Sequence, residues 1–175
     1  MEMNDVLNML ISSGAAEEVS KQTGITADDA VAVMQEVLPT LIQGMQGQAK
    51  NTSTQQSFLQ ALSDHSKQDT KDLGKFVRNV DTDDGDKIVN HLLGGKKEDV
   101  AAKAKKKSGI DTKTVIKIMA ILAPILMAKM GKNAEEEKKA KAKKNSSADM
   151  VDVVTGMLDG VDAGDVVKIL SVLMK

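Results

Sequence analysis

Apolar residues recur at helical spacing along almost the whole chain, and glycine and proline punctuate the pattern. Residues 3–13 place Val6, Leu7, Met9 and Leu10 on an inward face, and Gly14 closes that helix. A second short helix covers residues 15–23 and stops at Gly24. Thr26 opens a third, with Asp29 three residues on as its capping partner. This helix is expected to reach Met45 and to be interrupted at Pro39, because proline removes a backbone donor and crowds the preceding turn. A polar loop over residues 46–53 is expected next. Two helices follow, one over residues 55–64 with Phe58, Leu59 and Leu62, and one over residues 70–79 with Leu73, Phe76 and Val77.

The third helix then has a counterpart. TGITADDAVAVMQEVLPTLIQGM, residues 23–45, returns as SGIDTKTVIKIMAILAPILMAKM, residues 108–130, without a gap and 85 residues further on. Gly24 pairs with Gly109, Ile25 with Ile110, Met34 with Met119, Pro39 with Pro124, Leu41 with Leu126 and Met45 with Met130. A repeat of this length implies two copies of one small helical unit, packed on each other. The second copy is expected to open after the acidic turn at residues 81–86, with KIVNHLLGG as its first helix and EDVAAKAKKK as its second. The third starts at the N-cap Asp111 and is broken at Pro124.

Past the second copy, NAEEEKKAKAKKN (residues 133–145) has no apolar face. Its Glu135–Lys139 and Glu137–Lys141 pairs are spaced for a solvated helical extension, although a charged linker has the same composition. Two short amphipathic helices are expected after it, over residues 148–158 and 162–174. The fold class is therefore all-α: tandem helical units at residues 1–80 and 81–132, a Lys-rich connection at residues 133–147, and a C-terminal helix pair at residues 148–175.

Composition agrees with this picture and narrows it. Hydrophobic residues make up 41% of the 175, enough for a core, and that core is aliphatic and Met-rich, with eleven Met and only Phe58 and Phe76 as aromatics. The absence of cysteine removes disulfides, thiol catalysis and thiolate metal sites. Glu2 and Asp5 make the N-terminus unlike a signal peptide. The uncharged run at residues 118–128 is shorter than the roughly 20 residues that span a bilayer. A cytoplasmic protein with no transmembrane segment and a buried central helix at residues 115–130 is the expectation.

Candidate chemistry is sparse. Asp81, Asp83, Asp84 and Asp86 with Gly85 resemble half a calcium loop, but the twelfth position, where a bidentate Glu would close it, is Leu92. A polar turn whose Asp86 caps the following helix is the simpler reading. His91 lies among apolar neighbours without a nucleophile motif to activate, and reads as a histidine satisfied near a helix end. His65 is expected to be solvated. Gly94-Gly95-Lys96-Lys97 lacks the Ser/Thr and the preceding strand of a phosphate loop. No cofactor or metal motif and no acid–base pair stands out, so no enzyme is expected.

Net charge is −1. Lys103 and Lys105 to Lys107, with a second cluster over residues 138–144, offer phosphate contacts, but a single Arg and no stacking aromatics make a poor nucleic-acid reader.

The stretch DGDKIVNHLLGGKKEDVAAKAKKKSGIDTKTVIKIMAILAPILMAKMGK resembles the bacterial domain of unknown function 937 family and its YidB-like relatives. The likeness rests on Asp84-Gly85-Asp86, the block from Ile88 to Gly95, Ser108-Gly109-Ile110, and Leu122-Ala123-Pro124 with Met127, and it extends over roughly residues 1–131. It implies an all-helical bacterial protein and no particular activity.

These readings favour a non-catalytic helical scaffold or interaction protein that associates with itself. In residues 162–174, Val166, Val167, Ile169, Leu170, Val172, Leu173 and Met174 cannot share one face at 100° per residue, and they are the expected interaction residues. A nucleic-acid-associated protein using the Lys clusters is the alternative. A carrier of apolar ligands in a Met-rich pocket is a third and weaker option.

Overall fold

The computed structural model describes residues 3–143 and 150–159, and among these every regular element is an α-helix. The helices are α1 (Met3–Ser12), α2 (Ala15–Thr23), α3 (Ala27–Lys50), α4 (Gln55–Ser66), α5 (Leu73–Asn79), α6 (Thr82–Leu93), α7 (Lys97–Ser108), α8 (Thr112–Lys143) and α9 (Met150–Asp159).

Local chemistry sets most of their ends. Gly24 and Gly109 adopt the left-handed conformation that side chains resist, and each amide returns to a helical carbonyl, Ser20 and Lys105, at 2.8 Å. The next helices start with mirror-image caps. Thr26 Oγ1 accepts from the Asp29 amide and donates to the Asp29 carboxylate, whereas Asp111 accepts both the amide and the hydroxyl of Thr114. Such a cap is worth about 1 kcal/mol.

Two expectations about the long helices are corrected. Neither proline breaks its helix: α3 runs unbroken for 24 residues through Pro39, and α8 for 32 through Pro124. The flanking turns are too deeply packed to unwind. Leu38 and Leu41 around one proline, and Leu122 and Leu126 around the other, are 0–4% exposed. As a consequence α3 extends to Lys50, and most of the residues expected to form the 46–53 loop are helical. Residues 133–143 likewise continue α8.

Helix α8 is the axis of the fold. Helices α4, α6, α7, α3 and α9 lie against it, and residues 118–128 are all buried. Its Thr112–Lys141 stretch is long and apolar enough to cross a membrane by composition, but 72% of the most apolar window is buried by the other helices, as in a core helix. Three glycines let backbones approach closely. A methyl group on Gly85 (α6) would overlap the Ala120 carbonyl of α8, and one on Gly131 (α8) would overlap the Leu62 carbonyl of α4. One on Gly44 (α3) would sit 2.7 Å from the Leu92 carbonyl of α6. Helices α4 and α6 thus lie side by side along α8.

Candidate interaction site

The expected interaction residues, Val166, Val167, Ile169, Leu170, Val172, Leu173 and Met174, lie outside the described residues. The first part of the C-terminal segment is described. Helix α9 folds back against α3 and α8 and touches α4, burying Val153, Val154 and Leu158 at 0–1% exposure. The Gln46 side-chain amide of α3 donates to the Leu158 carbonyl and holds the end of α9.

An apolar groove opens between α4 and α6. Phe58 and Ala61 form one wall, Ile88 and Leu92 the other, Met127 of α8 the floor, and Ser57, Lys87 and His91 line it as well; its volume is about 320 Å³. The close approaches at Gly85 and Gly131 fix both walls to the floor. His91, in the last turn of α6, is exposed and lines the groove. Its backbone carbonyl accepts from Gln48 Nε2 of α3 at 2.9 Å, which satisfies an orphan acceptor at the end of α6.

A second cleft, of about 360 Å³, lies between the α4–α5 connection and the start of α6, and Asp69, Asp72, Asp81, Asp84, Lys75 and Pro124 contribute to it. Its carboxylates have structural duties. Asp81, not Asp86, caps α6, accepting from the Asp83 and Asp84 amides at 2.9 and 3.1 Å. The acidic stretch is thus the first turn of a helix, not a loop, because these short caps let helical geometry start at Thr82. Asp86 instead binds Lys97 at 2.7 Å. Asp72 caps α5, and the Lys71 amide, the main influence on Asp69, holds that carboxyl below the usual range. Among the described residues no three His, Cys, Asp or Glu side chains gather to hold a metal. His65, expected in solvent, is half-buried against α6, with Nε2 3.7 Å from Asp84.

The third groove runs between α3 and α7, about 600 Å³, and is lined by Lys103, Lys106 and Lys107 opposite Gln35, Glu36, Pro39, Thr40 and Gln43. Glu36 binds Lys107 at 2.8 Å, so the ridge is not uniformly basic.

A buried polar clasp escaped the sequence reading. Glu18 of α2 is almost enclosed and binds Lys21 at 2.8 Å and Arg78 of α5 at 3.0 Å. The Lys21 hydrogen bond, helped by Arg78, holds its carboxyl below the usual range. The spacing of Glu18 and Lys21 was the only local sign of it, since Arg78 lies sixty residues away.

The model of the family described as "Bacterial protein of unknown function (DUF937)" matches residues 5–133, well over half of the chain. The chain belongs to this DUF937 family. Neither the curated proteins nor the solved structures contain a match to it. The DUF937 match takes in α1 to α7 and most of α8, so all three grooves are built within it. The charged end of α8 and helix α9 fall beyond it.

Proposed function

We propose that this DUF937 chain is a non-catalytic, cytoplasmic interaction protein that associates with copies of itself through its C-terminal residues. The observation that carries this reading is the docking of α9. Val153, Val154 and Leu158 use the surface that α3 and α8 offer, and Gln46 clamps the end of the helix. The sequence then continues into Val166, Val167, Ile169, Leu170, Val172, Leu173 and Met174, more apolar surface than one stripe covers. Covering the remainder against another copy satisfies it at little cost, because a two-fold pairing uses the same patch twice.

The body fits a pair of related units. Helices α2 and α3 and helices α7 and α8 share their glycine stops, their caps and their in-helix prolines at one offset of 85 residues, and each proline lines a cleft. We read these as tandem copies of one helix pair.

Light scattering at high micromolar concentration tests the association. The full chain is expected to scatter as a multiple of the 18.7 kDa mass, and Leu170→Asp to return it to one. A full chain that stays monomeric refutes the reading. The Lys103–Lys106–Lys107 ridge favours the second reading, nucleic-acid association. Gel shifts across a salt series test that, with affinity falling steeply with salt if phosphates are bound.

A further inference from the structure

We infer that the apolar groove between α4 and α6 receives the segment at residues 162–174 of a second copy of this chain. This rests on the self-association reading and names its contact surface.

The groove is a cleft of about 320 Å³ with an aliphatic and aromatic lining, in which Phe58, Leu92 and Met127 are nearly buried and Ala61 and Ile88 are the more accessible walls. That is too small for a helix backbone and suited to a few side chains inserted from one. Val166, Ile169, Leu170 and Leu173 follow the i, i+3, i+4, i+7 spacing with which a helix fills such a groove. The charges agree: Lys87 lines the groove, and Asp162 and Asp165 begin the segment.

Reach within one chain does not decide between its own tail and a second copy's. Gln46 holds the Leu158 carbonyl and Gln48, two residues along α3, holds the His91 carbonyl. Two glutamine side chains so close on one helix keep those carbonyls within roughly 20 Å of each other, and the six residues 160–165 extend about as far. One groove leaves Val167, Val172 and Met174 uncovered, because they lie off the inserted stripe. An exchange of segments about a two-fold axis that passes beside the groove brings the two segments together and covers these residues too. That selects the second copy over the chain's own tail.

The chain has no cysteine, so single cysteines report the contact without background. Full-length Ser57→Cys, carrying an affinity tag, is mixed with untagged Val166→Cys under mild oxidation; Ala61→Cys with Leu173→Cys is an independent pair. A tagged–untagged disulfide dimer from either pair is expected. Scattering that shows a dimer without any such crosslink overturns the groove assignment and leaves self-association standing. A doubly substituted Ser57→Cys/Val166→Cys chain that closes only an internal disulfide and remains a monomer overturns the second copy as occupant. Monomers in every sample overturn both readings.

Discussion

Gly85 of α6 lies against the carbonyl oxygen of Ala120 in α8, the one carbonyl of that helix that Pro124 leaves without its helical donor. The proline and the glycine act together. Pro124 has no N–H to return to Ala120, and Gly85, lacking a side chain, lets α6 approach that same oxygen, the kind of close helix crossing at which Cα–H···O contacts recur. The proline is thereby tolerated mid-helix, and α6 comes close enough to bury Val89 and Leu92 on α8.

Gly85→Ala should therefore destabilise the fold by about 1–3 kcal/mol or more, the range for overpacking, because the obstacle is backbone and cannot turn aside. Gly131→Ala should behave alike against Leu62. Gly47→Ala is the control. Nothing lies within 4 Å of the new methyl group, and alanine is the better helix former, so stability should hold or rise by about 0.5–1 kcal/mol. Urea unfolding of the three variants checks this, and equal losses in all three would refute the close-crossing argument.

Leu126→Ala should cost roughly 2–5 kcal/mol, since the side chain is 4% exposed in the middle of the fold's axis. A thermal melt unchanged by the substitution would contradict the central place of α8.

The buried residues Ile121, Leu122, Ile125 and Leu126 and the stops at Gly24 and Gly109 were legible in the sequence, because each follows from local spacing or from a conformation only glycine takes easily. The continuity of α3 and α8 was not. Proline is a local breaker, and what overrode it, the packing of Leu38, Leu41, Leu122 and Leu126, is assembled from distant helices. Gly85 looked like a turn glycine for the same reason: its need comes from Ala120, thirty-five residues on. The α4–α6 groove was equally hidden, since its walls meet only once both helices lie on α8, whereas the apolar excess of residues 166–174 is plain in sequence.

Acid should loosen the α2–α5 clasp. The Glu18 carboxyl is held below its ordinary range by Lys21 and Arg78, so it binds a proton more readily in the unfolded chain than in the folded one. Its contribution is complete above the unfolded glutamate pKa, about 4.3, and is lost as pH falls through the lower folded value. Glu18→Gln should flatten the acid limb of a stability–pH curve while leaving its slope above pH 6 unchanged. Parallel acid limbs in both proteins would show that the clasp carries no linkage.

Helix α9 belongs to the body, although it lies beyond the family match, and this separates stability from assembly. A chain ending at Asp159 retains Val153, Val154 and Leu158 in their seats, whereas one ending at Lys143 exposes the surfaces of α3 and α8 beneath them. Burial of each such side chain favours the folded state by about 1.5–3 kcal/mol before the entropy of ordering α9 offsets part of it. The chain ending at Asp159 should melt close to the full-length protein yet scatter as a monomer. The chain ending at Lys143 should melt several degrees lower, because even 1 kcal/mol shifts the midpoint of a domain this size by about 2–4 °C. Equal melting of the two shortened chains would place α9 outside the folding unit, and a dimer from the chain ending at Asp159 would move the association surface onto the body itself.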